Sequence, residues 1–425
     1  MGGLSQNLSN KKRLSIFPTQ LDKHKAILIT YIAFLFTGFQ CAIYGMLTVS
    51  IAKHFQISPS NVIFYDGFGL WGQIFAMATG GIVIRKIKAK NTLALAALLM
   101  IIGSTFSILA INIYVYSLMS FLCNMAVGYV LLTCNYMTMG TVTSEGESEG
   151  KLSILNVFFS FGFLASASIV GILLHYFNWQ VVFLSIMILF SVFILFLLLI
   201  RINELIETQL RQQTEDKINN KKPTFQISFL NLASILIAIS LFCIVYVEQI
   251  MNYFNQPHLH YKLGFDIQTV GILVSSYTLA QLLGRILFGK FLLPKIKIHL
   301  YLITATILFA ILFCLYLSLH SFLMVFLIMA ALGLADSCIY PSILGFGMDQ
   351  LPNLSSSATS FFVTVGAIGI PIGTSVSGLL GDYFGHYTAM AIGPILLVII
   401  SLLIYSVHLL QMKNKNASHL AAKAS

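Results

Sequence analysis

Charge is what this sequence has least of. Of its 425 residues only 9% are Asp, Glu, Lys or Arg, against roughly a quarter in an ordinary soluble domain. Twenty-four basic and 14 acidic side chains are too few to cover the surface of a soluble protein of this length. That excludes a soluble enzyme, a nucleic-acid-binding domain and a disordered chain. Metal and disulfide patterns are also missing. Cys41, Cys123, Cys134, Cys243, Cys314 and Cys338 all fall in apolar stretches, with no CxxC or Cys/His pair. They read as small buried hydrophobes, and no metal site, cofactor or disulfide framework is expected. No P-loop, H-E-x-x-H or G-x-S-x-G motif is present, which leaves ATP-driven pumping and a membrane enzyme without support.

What is present is apolar length. Apolar residues make up 58% of the chain, and a transmembrane helix needs about 20 of them in a row. Twelve runs qualify. The first six are Ala26–Ile51, Asn61–Ile84, Thr92–Ile111, Tyr114–Gly140, Leu152–Phe177 and Val181–Ile200. The second six are Phe229–Tyr253, Val270–Leu293, Leu300–Leu319, Phe322–Phe346, Ala358–Gly381 and Thr388–Leu410. Each is expected to be helical, because lipid cannot satisfy bare backbone groups. The first 25 residues are polar and basic, and the run after them is too long for a signal-peptide core, so it reads as the first span.

The basic residues orient the spans. With both termini in the cytoplasm, 22 of the 24 Lys and Arg lie on the cytoplasmic face and only Lys53 and Lys262 on the other. That asymmetry is the positive-inside pattern. The expected organisation is a cytoplasmic tail (1–24), a six-helix bundle (25–200), a cytoplasmic linker (201–228), a second six-helix bundle (229–410) and a cytoplasmic tail (411–425). The two halves repeat. The stretch from Gly171 through His175, Tyr176 and Phe177 to Asn178 resembles Gly378 through Asp382, Tyr383 and Phe384 to Gly385, an offset of 207 residues. The pattern Gly80 to Lys86-Ile87-Lys88 returns as Gly289 to Lys295-Ile296-Lys297, an offset of 209. Duplicated six-helix units joined by a cytoplasmic linker are a transporter plan.

On these features the chain resembles the major facilitator superfamily over Lys25 to Leu410. Phe177-Asn178-Trp179-Gln180-Val181-Val182-Phe183 is similar to that family's approach to its sixth helix. The family's signature after the second helix is degenerate here: Gly81 is in place and Lys90 ends the match, but Arg85 occupies the usual Asp position and Lys88 that of the second Gly. Within the superfamily the likeness is to the fucose-symporter-like group and its TsgA-type branch. Met139-Gly140-Thr141, Gly150-Lys151-Leu152 and Phe158-Phe159-Ser160-Phe161-Gly162 resemble that branch. Tyr246-Val247-Glu248 and Gly333-Leu334-Ala335-Asp336-Ser337-Cys338-Ile339-Tyr340-Pro341 resemble the sugar symporters. Those relatives carry acids in their first and fourth helices, where this chain has Gln40, Asn124 and Asn135. The resemblance implies an all-α integral membrane protein of twelve helices in two bundles, a secondary transporter working by alternating access. It also implies Gly81, Arg85 and Arg285 as gating residues, Arg285 standing where the second-half copy of the signature falls.

Three acids lie inside spans: Asp66, Glu248 and Asp336. No Lys or Arg lies inside a span core, so no cationic partner is evident from the sequence. Burial disfavours a charged carboxyl, which then binds a proton or is neutralised by a cation, and an intramembrane acid is by default a functional candidate. Asp336 lies about 14 residues into its span, roughly 21 Å at about 1.5 Å per residue, near mid-membrane. Pro341 just beyond it is expected to kink the helix beside a cavity. Glu248 is shallower, and Asp66 shallower still. Gln40, Tyr44, Asn124, Tyr129, Asn135, Asn252, Tyr277 and Gln281 are cavity candidates, each with interhelical hydrogen bonding as the competing role.

The expected partners are a small-molecule substrate, protons or another cation, and the lipid bilayer, with no nucleic acid. The expected state is a monomer in the cell membrane (the inner membrane in a Gram-negative source). The competing functional classes are a non-transporting sensor on a transporter scaffold, an uncoupled facilitator and a drug efflux protein.

Overall fold

The computed structural model describes residues 17–141, 147–202, 231–348 and 356–424. The expected linker, 201–228, falls outside the described residues except for its first two, as do most of the N-terminal tail and residues 142–146. The helices of the first half are α1 (Gln20–Phe55), α2 (Pro59–Ile87), α3 (Ala89–Ile108), α4 (Ile113–Gly140), α5 (Glu147–Tyr176) and α6 (Gln180–Leu199). Those of the second half are α7 (Leu232–Pro257), α8 (Ile267–Leu287), α9 (Ile298–Ser318), α10 (Phe322–Asp336), α11 (Ile339–Met348), α12 (Ser356–Phe384) and α13 (His386–Ala424). They form twelve segments long and apolar enough to cross a membrane, the tenth of them, Phe322–Gly347, being α10 and α11 together. All twelve apolar runs correspond to these segments.

The local chemistry explains the helix starts. The first backbone N–H groups of a helix have no partner within it. Asn112, Asn231, Asp266 and Ser321 supply one at the starts of α4, α7, α8 and α10, each accepting from the N–H three residues on. Several hydroxyls inside the spans are satisfied within their own helix. Thr37, Ser107 and Thr306 donate to the carbonyls of Ala33, Gly103 and Leu302, four residues back.

The chain divides into two compact units. The first comprises residues up to Ala42, Gly69–Ser166 and Gln180–Lys222. Its interior is aromatic: Tyr116 of α4 meets Phe183 of α6 edge-on, and Phe36 of α1 meets Phe190 and Phe193. Lys25 and Lys90 donate to the carbonyls of Arg201 and Ile200, where α6 ends, as cations near a helix C-terminus should.

The second unit comprises Ile43–Phe68, Ala167–Trp179 and Pro223–Ser425. It therefore includes the end of α1, the start of α2 and the end of α5 together with α7 to α13. Within it the internal repeat becomes visible as geometry. Gly171 of α5 lies against Gly271 and the Ile267 carbonyl of α8; Gly378 of α12 lies against Phe64 and the Ser60 carbonyl of α2. Each of the three pairs, Gly171 with Gly378, Gly271 with Phe64, and Ile267 with Ser60, is 207 residues apart. The offset read from sequence likeness in α5 and α12 thus recurs in the contacts those helices make. Duplication of one six-helix unit accounts for both.

Five of the six cysteines are buried or half-buried, as small hydrophobes should be. Cys314 is the exception: it is exposed on α9. One apolar face of α9 is turned outward there, with Ile311 and Leu315 beside it.

Candidate functional site

The site is assembled where two helices touch backbone to backbone. Gly333 of α10 has no side chain, and the carbonyl of Tyr277 in α8 occupies the place a Cβ would take. One turn further on, Gly284 of α8 accommodates the side chain of Ser337 in the same way. These two approaches fix α8 against the tenth span at the point where that span breaks.

The break has a chemical cause. A proline cannot donate to the carbonyl four residues back, and its ring crowds that carbonyl. For Pro341 the carbonyl is that of Ser337, and α10 ends at Asp336. The helix resumes with Ser342 donating to Cys338 at 3.1 Å. The sequence pointed to a kink beside Pro341; the structure places the interruption a full turn earlier, immediately after Asp336. The released Ser337 carbonyl accepts from Nε of Arg285 at 3.1 Å.

Tyr277, Gln281 and Arg285 stand at four-residue intervals, so one face of α8 presents all three to the break. Asp336 is 2% exposed. Its Oδ2 accepts from the Tyr277 hydroxyl and from Nε2 of Gln281, both at 2.6 Å. Its Oδ1 is buried and has no hydrogen-bond partner among the described residues. Glu248, half-buried on α7, interacts electrostatically with Asp336, and Arg285 acts on both carboxyls. The sequence shows no evident cationic partner for these acids; the structure puts the Arg285 side chain on the carbonyl of Ser337, the residue after Asp336. Arg285 enters from the end of α8, outside the span core, and the sequence alone does not show that it reaches inward. Tyr301 of α9 and Tyr340 of α11 complete the electrostatic surroundings. Neither was selected from sequence, since nothing in a linear pattern sets an isolated Tyr in an apolar helix apart.

The structure thus gathers five of the sequence candidates, Glu248, Tyr277, Gln281, Arg285 and Asp336, in the second unit. The remaining candidates are placed as follows. Asp66 is buried on α2, next to Gly67, whose backbone packs on Ser375 of α12. Asn252 is half-buried on α7, its carbonyl against Gly45 of α1, and Tyr44 is buried beside it in sequence. In the first unit Gln40 is fully buried. Asn124 and Asn135 donate to the carbonyls of Ser120 and Leu131 in their own helix. The Tyr129 hydroxyl pairs with Thr79 at 3.0 Å. Of these, only the Tyr129–Thr79 bond joins two helices, which is the competing role of interhelical hydrogen bonding. Gly81 and Arg85 are exposed near the end of α2.

Residues 30–247 and 237–423 match the Major Facilitator Superfamily. The chain belongs to that superfamily. The superfamily fold is also shared by solved structures. A mutant of the nucleoside transporter NupG superimposes with a TM-score of 0.74 at 16% identity, covering 91% of this chain and 99% of that one. A D-xylose-proton symporter superimposes with a TM-score of 0.68 at 15% identity, covering 89% and 96%. Among curated proteins, this superfamily member is similar to the protein TsgA homolog of Buchnera aphidicola subsp. Schizaphis graminum, at 24% identity over 89% of this chain and 95% of that protein. It is similar also to the TsgA homolog of Edwardsiella ictaluri, at 21% identity over 88% and 92%. It is a multi-pass membrane transporter of that superfamily.

Proposed function

We propose that this transporter moves a small polar solute together with protons, by alternating access of its two six-helix halves, and that Asp336 and Glu248 carry the protons. The observation that carries this reading is the charge count of the cluster. Two carboxyls and one guanidinium sum to minus one when all are ionised and to zero when the acids hold one proton between them. In a low dielectric the neutral combination is favoured. A single proton, or a cation in its place, is therefore what the cluster is built to accept and give up.

The vacant acceptor is Oδ1 of Asp336, since Oδ2 already receives two hydrogen bonds. A proton there leaves both of those bonds in place. Both bonds are charge-assisted while the carboxyl is ionised and weaken when it is protonated, which couples protonation to how tightly α8 is held to the broken tenth span. The similar folds of a nucleoside transporter and a D-xylose-proton symporter agree with a polar solute. The positive-inside count supports cytoplasmic termini.

The test is solute-dependent proton movement. Liposomes containing the protein and an internal pH-reporting dye are challenged with neutral and cationic polar solutes. An acid shift on addition of one of them, abolished in Asp336→Asn and reduced in Glu248→Gln, is the expected result. Undiminished pH-driven uptake in both variants sinks the proposal.

A further inference from the structure

A span-end arginine ordinarily snorkels toward the headgroups. Arg285, two residues from the end of α8, does not spend its Nε that way: it donates it to the Ser337 carbonyl. That carbonyl is available only because residue 341 is proline. With any other residue there, the backbone N–H would claim it as the next bond of the helix. The geometry is closed on the other side by Gly284, one residue before Arg285, which lets α8 approach until Ser337 lies against its backbone.

We infer that Arg285 is the positioning cation of the Asp336–Glu248 pair, tethered by the carbonyl that Pro341 releases, and that this tether sets how readily the pair takes up its proton. The inference deepens the proton-carrying reading of the same site and rests on it for its consequence in transport. The tether matters because a long, exposed guanidinium would otherwise sample many rotamers, and its attraction for two carboxyls would be averaged away. Arg is suited to the task where Lys is not, since Nε can bind the carbonyl while the terminal nitrogens remain directed elsewhere.

Among the described residues, the titratable and charged groups that act on the pair are Tyr277 and Arg285 from α8, Tyr301 from α9 and Tyr340 from α11. Arg285 is the one cation among them. Its removal should therefore be felt directly by the pair rather than compensated by a neighbour.

The experiment titrates the pair without needing a substrate. Full-length protein in liposomes is taken through a pH series while the protonated-carboxyl band is followed by infrared difference spectroscopy. Asp336→Asn and Glu248→Gln identify the band. In Arg285→Gln the band should persist to more alkaline pH by about one unit, a roughly tenfold gain in proton affinity. Arg285→Lys should recover only part of the wild-type midpoint, because the charge returns without the Nε tether. Pro341→Ala should shift in the same direction as Arg285→Gln, because the regained N–H competes for the Ser337 carbonyl. Tyr316→Phe, which removes a buried hydrogen bond to Asn255, serves as a control for general loosening and should leave the midpoint unmoved.

Monodisperse elution shows which variants fold, and the mild Pro341→Ala change keeps the question open to test if Arg285→Gln does not. An unmoved midpoint in either folded variant overturns the tether. So does a shift in Arg285→Gln that Lys leaves wholly unreversed, since that marks a packing role, or one that Lys reverses in full, since charge alone then suffices. A midpoint shift in a protein that moves no protons with any solute defeats the coupling reading and leaves this one standing; pH-driven transport with an unmoved midpoint does the reverse.

Discussion

Gly333 of α10 and Tyr277 of α8 meet through their backbones, the Tyr277 carbonyl filling the space of the missing glycine side chain. One turn later the same two helices exchange the Tyr277–Asp336 hydrogen bond. The close approach therefore sets the reach of the bond. A methyl group at position 333 has to push α8 outward, and close-packed helices do not yield freely. Gly333→Ala should lower stability by about 1–3 kcal/mol, the range for overpacking a fitted site. It should also reduce pH-driven flux, because Tyr277 and Gln281 retreat from the carboxyl. Thermal unfolding in detergent and uptake in liposomes measure the two effects. A variant with lowered stability and full flux would show that the helix contact is structural only.

Tyr277→Phe removes the hydroxyl and nothing else. A hydrogen bond to a charged group contributes about 1.5–3 kcal/mol, so a carboxylate deprived of it becomes harder to form by a comparable amount. At about 1.4 kcal/mol per factor of ten, pH-driven transport should fall at least tenfold at neutral pH and recover in part as the pH is raised. Tyr316→Phe is the matched comparison. It also loses a buried hydroxyl bond, at 3.0 Å to Asn255, but lies outside the Asp336 cluster, so it should reduce stability without altering the pH profile.

The contrast between these two tyrosines shows what can be read from a sequence of this kind. Lipid imposes helices on any long apolar run, so the number and extent of the spans followed from composition alone. Scarcity made the three intramembrane acids stand out, and two of them fall in the cluster. Which neutral residues face them depends on helix rotation, and hydrophobic periodicity carries little of that information in a span that is apolar all round. Asn124 and Asn135 look from sequence as promising as Gln281, yet they bond back to their own helix. Arg285 was legible as a conspicuous charge but not as a partner of Asp336, because that relation runs through a carbonyl freed by a proline four residues further along. The repeat was the most reliable long-range signal, since one offset recurs in sequence and in contacts.

The register of α8 is set at its start. Asp266 caps the helix, accepting from the Thr269 N–H at 3.2 Å and from the Thr269 hydroxyl. The Thr269 hydroxyl chiefly, with backbone N–H groups adding to it, holds the Asp266 carboxyl below the usual carboxylate range. A carboxyl whose folded value is lowered stabilises the protein above its unfolded value, about 3.9, and that contribution is lost as the pH falls through the folded value. Asp266→Ala should therefore cost about 1 kcal/mol near neutral pH, and its difference from wild type should narrow below about pH 4. Thermal unfolding across a pH series checks this. A difference that stays constant to pH 3 would mean that the charge of Asp266 plays no part in the cap.

Gly171 and Gly378 occupy repeat-related contacts, but the two are not equally tight. A Cβ on Gly171 would lie 3.2 Å from Gly271 Cα, a crowded but tolerable distance, whereas on Gly378 it would collide with the Phe64 backbone. Nearby, Asp382 accepts from Ser58 and Asn61, and Ser60, which is fully buried, pairs with His386 at 2.8 Å. On the positive-inside orientation this end of the unit faces outward. Gly378→Ala should then loosen the contact of α2 with α12 and expose Ser60, while Gly171→Ala should have a smaller effect, because its contact lies on α8. A Ser60→Cys reporter, in a background where exposed Cys314 is replaced by Ser, can be labelled on intact cells with a membrane-impermeant maleimide. Labelling should be severalfold faster with Gly378→Ala than without it, and nearly unchanged with Gly171→Ala. Equal rates in all three proteins would mean that the glycine contact does not close this end. Labelling only after the cells are opened would place it on the cytoplasmic side and reverse the orientation drawn from the basic residues.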